Sequence, residues 1–191
     1  MPFDRVASRR SFLKFGATAA LALSPTTTLA NAVRLPAPDA KKIKIERHLK
    51  FENLHTGEKL KTVYWQNGKY LRESLRDINH ILRDFRNDEV RPIDENLLDL
   101  LNVLNGQLET TQPFEIISGY RSPETNTMLR SRSKGVASNS YHLRGMATDI
   151  RVPGRELIHV RRAALDMGLG GVGYYPTSGF VHVDVGPVRT W

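Results

Sequence analysis

An α+β domain, an antiparallel sheet with helices packed beside it, is the fold class this sequence predicts. Three observations carry the prediction. Short strand-like runs stand on both sides of the globular part. Two apolar patterns of helical period lie between them. Several strand candidates are joined by turn-sized connections, which favours antiparallel pairing. The 191 residues suffice for one domain with a sizeable core, and no internal repeat is present.

The start of the chain stands apart from that domain. "SRRSFLKFGATAALALSP" opens on Arg9 and Arg10, continues through Phe12, Leu13 and Lys14, and then runs apolar from Phe15 to Leu23. Nine apolar residues fall well short of the ~20 that cross a bilayer, so the run reads as a signal-peptide core rather than a membrane anchor. The paired arginines resemble a twin-arginine export signal. "TLANA" offers cleavage after Ala30 or Ala32. The competing reading is a basic, frayed terminus. The expected organisation is a twin-arginine signal peptide over 1–32, a linker over 33–42 ("VRLPAPDAKK") and one domain over 43–191. The expected location is periplasmic, reached through the twin-arginine machinery, with no stable membrane insertion once the signal is removed.

The elements of the domain follow in order. "IKIERHLKFENL" alternates loosely and predicts a strand, "HTGE" a turn, and "KLKTVYW" a second strand. "QNGK" carries the Asn-Gly pair of tight hairpins. Leu71, Leu75, Ile78, Leu82 and Phe85 mark one face of a helix over 71–86. Asp94 is the candidate N-cap of a second helix, whose apolar face is Leu97, Leu98, Leu101, Leu104 and Leu108, with Gly106 inside its last turn. "FEIIS" reads as a short buried strand. Ser122 and Pro123 then form a cap and first helical position. "SRSKGVASNS" reads as a polar loop, "MATDIRV" as a strand, and "RELIHVRRAALDMG" as a helix stopped at Gly168. "GGVGYYP" and "FVHVDVG" are the last two strands, joined by a turn around Thr177 to Gly179.

Composition narrows the chemistry. With no cysteine, the chain has no disulfide, thiolate metal site, iron–sulfur cluster or cysteine nucleophile. Any metal must be held by His, Asp or Glu. The net charge is +8, and +5 remains beyond residue 32. That field suits an anionic polymer or serves solubility. No nucleic-acid-binding motif is present. "GLGGVG" at 168–173 fits G-x-G-x-x-G but follows a helix and precedes a strand, the reverse of a dinucleotide site. Its glycines read as a helix stop and a tight strand entry.

Six histidines remain to be sorted. His80 and His159 lie in helices, His48 in a strand and His55 in a turn, positions that need no function. His142 and His182 differ. "SYHLRGMATDI" sets His142 seven positions before Asp149. In "FVHVD", strand alternation turns Phe180, His182 and Asp184 to one side and Val181 and Val183 to the other. Two imidazoles and a carboxylate, with one open position, are a catalytic zinc donor set. Surface histidines and a salt-bridging aspartate are the alternative that spacing alone leaves open.

"SGYRS", "SYHLRGMATDI" and "GGVGYYPTSGFVHVDVG" together resemble the zinc D-alanyl-D-alanine carboxypeptidase and dipeptidase superfamily, which has the hedgehog/DD-peptidase fold. Its pattern S-x-H-x-x-G-x-A-x-D with a later histidine falls on Ser140, His142, Gly145, Ala147, Asp149 and His182. "NLHTGE", "GVGYYP" and the twin-arginine start bring the resemblance to the murein endopeptidase K type, over about residues 50 to 191. The resemblance implies His142, Asp149 and His182 as ligands to Zn²⁺. It implies Arg121 as a contact to substrate or oxyanion, with a structural ion pair as its plainer reading. Ser140 and Tyr174 are further substrate-side candidates, and Tyr174 or Tyr175 either offers a hydroxyl or shapes the cleft. The activity implied is hydrolysis of peptidoglycan stem-peptide crosslinks. Endopeptidase fits better than carboxypeptidase.

One departure stands out. Several relatives carry an acidic general base three residues before the last histidine, or a histidine two before it. This chain has Gly179 and Phe180 there. Asp184 is the nearest substitute, either as base or as a carboxylate that orients a ligand histidine. The missing base leaves a second expectation: a non-catalytic peptidoglycan-binding module with a structural zinc.

Overall fold

The computed structural model describes residues 45–133 and 135–191, so the expected signal peptide and linker lie outside the described residues. The strands are β1 (Glu46–Asn53), β2 (Lys59–Gln66), β3 (Lys69–Tyr70), β4 (Phe114–Ser118), β5 (Ala147–Arg151), β6 (Gly171–Tyr175), β7 (Phe180–Asp184) and β8 (Arg189–Thr190). The helices are α1 (Arg72–Ile81), α2 (Glu95–Gln107), α3 (Pro123–Arg132) and α4 (Leu157–Met167), with a 3₁₀ turn at Tyr141–Arg144.

One sheet collects all eight strands in the order β3-β2-β1-β4-β5-β7-β6-β8. It is mixed rather than purely antiparallel, which corrects the sequence expectation: β1 runs parallel to β4 and β6 parallel to β8. The chain leaves β1, makes the β2–β3 hairpin and two helices, and returns beside β1 in the same direction. Such a crossover is the usual route to a parallel pair. β8 is the second unforeseen parallel strand, only two residues long.

Local chemistry explains most element boundaries. Asn67 and Gly68 both have positive φ, as a two-residue hairpin requires. Asp94 accepts from the Asn96 N–H and Ser122 from the Thr125 N–H, each capping its helix. α1 stops at Ile81, short of the expected residue 86. The cause is tertiary. The Leu82 carbonyl accepts the Tyr120 N–H at 2.7 Å. The buried Asp84 carboxylate accepts the backbone N–H groups of Arg86 and Ser122. Phe85, the last member of the helical pattern, instead stacks on His55 with ring centroids 3.8 Å apart.

The core lies between one sheet face and the helices. Ile78, Leu97, Leu98, Leu101 and Leu104 pack with Leu49, Phe51, Tyr64, Phe114, Ile116, Ile150, Val181 and Val183, all fully buried. Each such aliphatic side chain contributes about 1.5–3 kcal/mol of burial free energy. Since Val181 and Val183 face this core, Phe180, His182 and Asp184 emerge on the other face of β7. Among the described residues, no helix is long and apolar enough to cross a membrane.

Candidate metal centre

Strand register sets the first two groups. Asp149 on β5 is the direct antiparallel partner of His182 on β7, and Ala147 is the partner of Asp184. Cross-strand partners share a face, so a carboxylate meets an imidazole without any loop having to be ordered.

His142 arrives from the 3₁₀ turn, and the residues around it show why that turn forms. The Ser140 hydroxyl accepts from the His142 N–H. Gly145 ends the turn with φ of +67°, and a Cβ there would strike the Pro92 carbonyl. Both facts demand glycine. The chain then enters β5 at the buried Ala147 and reaches Asp149 two residues later.

The two rings are oriented from behind. His142 Nδ1 donates to the Gly119 carbonyl at 2.7 Å, leaving Nε2 with its lone pair toward the cleft. His182 Nε2 donates to Asp184 Oδ2 at 2.9 Å, leaving Nδ1 free. The free atoms converge: His142 Nε2 to His182 Nδ1 is 3.2 Å, His182 Nδ1 to Asp149 Oδ1 is 2.9 Å, and His142 Nε2 to Asp149 Oδ1 is 3.3 Å. A tetrahedral ion with bonds of about 2.0–2.1 Å holds neighbouring ligand atoms about 3.3 Å apart. The triangle and its two-nitrogen, one-oxygen donor set therefore fit a divalent metal, and these three residues form a metal-capable group.

The two imidazoles are tuned in opposite directions. Burial lowers the pKa of His142, and Asp149 only partly offsets it, so this imidazole favours the neutral form a ligand needs. For His182 burial also acts downward, but hydrogen bonds to two carboxylates, Asp149 and Asp184, outweigh it and raise the pKa. Burial opposes the charge on Asp149, yet the two adjacent imidazoles hold it well below the usual carboxylate range.

A cleft of about 490 Å³ opens over this triangle. Arg121, predicted at the site, lines it. Its guanidinium is largely buried but weakly held: Nη2 lies 3.6 Å from Asp149 Oδ2 and 3.4 Å from Ser118 Oγ, Nη1 lies 3.5 Å from Asn126 Oδ1, and among the described residues Nε has no partner. Burying a cation with so few hydrogen bonds is costly unless something else completes its shell. Ser140 also lines the cleft.

Two sequence-predicted residues take other places. Tyr174 does not line the cleft; it packs against the core with Arg161 over its ring, and strand alternation gives its neighbour Tyr175 the cleft-facing position. Asp184 is also absent from the lining. It is fully buried behind His182, where its oxygens accept from Gly171 N, Gly186 N and both terminal nitrogens of Arg189 as well as from His182. Burial opposes its charge, but the His182 and Arg189 hydrogen bonds hold its pKa far below the ordinary range.

Among the wall residues the sequence reading missed are Tyr141, Arg189 and Trp191. The alternation that exposed His182 and Asp184 is broken by the turn at 185–188, so it assigned no face to Arg189 or Trp191. A signal was nevertheless present in "GLGGVG". Gly168 stops α4 as expected. A Cβ at Gly173 would meet the Trp191 indole at 2.7–2.8 Å, and one at Gly171 would meet Arg189 and Asp184. These two glycines vacate volume for the cleft wall.

The chain is similar to known proteins over most of its length. A family model described as peptidoglycan L,D-endopeptidase MepK matches residues 41–191. The Escherichia coli protein named peptidoglycan L,D-endopeptidase MepK is 45% identical over 186 residues, covering 97% of both chains. The Shigella flexneri protein of that name is equally similar. A Haemophilus influenzae protein named probable peptidoglycan L,D-endopeptidase MepK is 39% identical, covering 96% of this chain and 95% of its own.

Proposed function

Since the chain belongs to the peptidoglycan L,D-endopeptidase MepK family, we propose that it is a zinc-dependent peptidoglycan endopeptidase acting on crosslinks between stem peptides. One observation carries the chemistry: three metal-ligand atoms, each pair 2.9–3.3 Å apart, converge below an open cleft. Zinc held by His142 Nε2, Asp149 Oδ1 and His182 Nδ1 would supply Lewis-acid polarisation of the scissile carbonyl and an acidified water.

The protein's own groups do the rest. The Gly119 carbonyl and the Asp184 carboxylate each fix one imidazole, so the ligand nitrogens are preset. Arg121 offers an under-satisfied guanidinium beside the triangle, suited to a developing oxyanion or a substrate carboxylate. Ser140 and Tyr175 line the path of the peptide. Of the two roles open to Asp184, orientation of His182 suits its surroundings and proton transfer does not. It is fully buried, does not line the cleft and already accepts five hydrogen bonds. A structural zinc is normally closed by four protein ligands. Three donors under an open cleft favour the enzyme over the binding module.

The proposal extends to the leader. Residues 1–32 act as a twin-arginine signal, 33–42 link it to the domain, and the enzyme works in the periplasm. "SRRSFLK" and a peptidoglycan substrate both support this reading.

Mass spectrometry of crosslinked muropeptides incubated with the mature protein tests the activity. Monomers that form with zinc and not with chelator are expected, with masses that identify an L,D bond. Retention on sacculi without any released product would replace the enzyme by the binding module.

A further inference from the structure

Arg189 is a residue to which neither the family resemblance nor the proposed chemistry gives a part. Its guanidinium makes a fork on Asp184: Nη1 donates to Oδ1 at 3.0 Å and Nη2 to Oδ2 at 2.6 Å. Nη1 also reaches the Pro187 carbonyl at 3.0 Å. The same guanidinium lies over two rings, 4.9 Å from the Tyr141 centroid and 5.0 Å from that of Trp191. The fold makes room for this stack. A Cβ on Gly171 would strike Arg189, and a Cβ on Gly186 would strike the Tyr141 ring.

The connections matter because the two histidines come from segments 40 residues apart. Tyr141 directly precedes His142 in the 3₁₀ turn. Asp184 fixes the outer nitrogen of His182. Arg189 touches both, so a single planar cation ties the turn carrying one ligand to the strand carrying the other. It also fixes the rotation of the Asp184 carboxylate, leaving Oδ2 aimed at His182. A bidentate fork sets that rotation, whereas a point charge does not.

We propose that Arg189 is a positioning residue of the metal centre: packed against Tyr141 and Trp191, it holds Asp184 so that His182 Nδ1 stays aimed at the metal. The inference rests on the metal reading given above and adds a determinant of affinity outside the ligand set.

The test is zinc affinity measured by chelator competition for the wild-type domain, Arg189→Met and Arg189→Lys, with the visible spectrum of the cobalt-substituted proteins. Removing an outer partner of a ligand typically costs about 10–100-fold in metal affinity. Arg189 acts one step further out, through Asp184, so Arg189→Met should show a loss toward the lower end of that range, about tenfold, and a changed cobalt spectrum. Arg189→Lys, which keeps the charge and loses the fork, should fall between it and the wild type. A lower melting temperature with unchanged zinc affinity and cobalt spectrum would make Arg189 merely structural and overturn the inference. If Arg189→Met does not fold, Arg189→Lys decides: weakened affinity supports the inference and wild-type affinity overturns it. A wild type that binds no zinc would instead sink the metal reading itself.

Discussion

The two ends of the sheet handle their polar groups in opposite ways. At the β3-β2-β1 end, Asp99 of α2 accepts from Tyr64 at 2.8 Å, Tyr70 at 2.9 Å and Arg47 at 2.5 Å. That cluster is partly open to solvent, the Arg47 and Asp99 side chains being 37% and 31% accessible. At the β5-β7-β6-β8 end, two carboxylates and two imidazoles are buried together. Three of their atoms face one another across about 3 Å rather than each finding a separate partner. The first end is an ion pair, backed by two tyrosines, at the rim of an ordinary core. The second is a donor set that an ion would complete. An ion pair alone therefore does not mark a site; buried lone pairs that converge do.

Substitutions should separate the two ends. The largest effect belongs to the triangle. His142→Ala and His182→Ala should each abolish zinc binding and lower hydrolysis by at least about a thousandfold while the apolar core still folds, because neither side chain packs in that core. Full activity with normal zinc in either variant would break the assignment. Next comes Leu101→Ala at the opposite end, fully buried on α2. It should cost about 2–5 kcal/mol in denaturant unfolding, with zinc affinity unchanged in the folded protein. Gly145→Ala should do some of both. The strained φ and the Pro92 carbonyl should cost about 1–3 kcal/mol. The displaced 3₁₀ turn should also weaken zinc binding through His142.

The smallest effect concerns pH. Burial opposes the charge on Asp99, but Arg47 and the two tyrosines outweigh it and hold the folded pKa below its ordinary value. A depressed carboxylate pKa adds stability above its unfolded value of about 3.9, and that stability is lost as pH falls toward the folded pKa. Asp99→Asn should therefore flatten part of the fall in melting temperature below about pH 4. An acid limb identical to wild type would show that Asp99 contributes nothing to it.

The same contrast explains what was legible in the sequence. The leucine face of α2, the Asp94 and Ser122 caps and the Asn67-Gly68 turn are local signals, and the structure follows them. The shared face of His182 and Asp184 was legible because strand alternation is rigid. The early end of α1 was not, since its cause is the Leu82 carbonyl meeting Tyr120 from a distant loop. Parallel pairing of β1 with β4 depends on a long crossover that leaves no local mark. The wall of Arg189 and Trp191 lay beyond the turn where alternation stops. Tyr174 and Tyr175 could not be told apart until β6 was placed in register with β7.

Zinc content and muropeptide hydrolysis measured on the same samples of wild-type and Asp149→Asn protein test the central claim most directly. The triangle predicts one zinc per chain and product formation in the wild type, with both lost together in Asp149→Asn. An Asp149→Asn protein that keeps its zinc and its activity would contradict it.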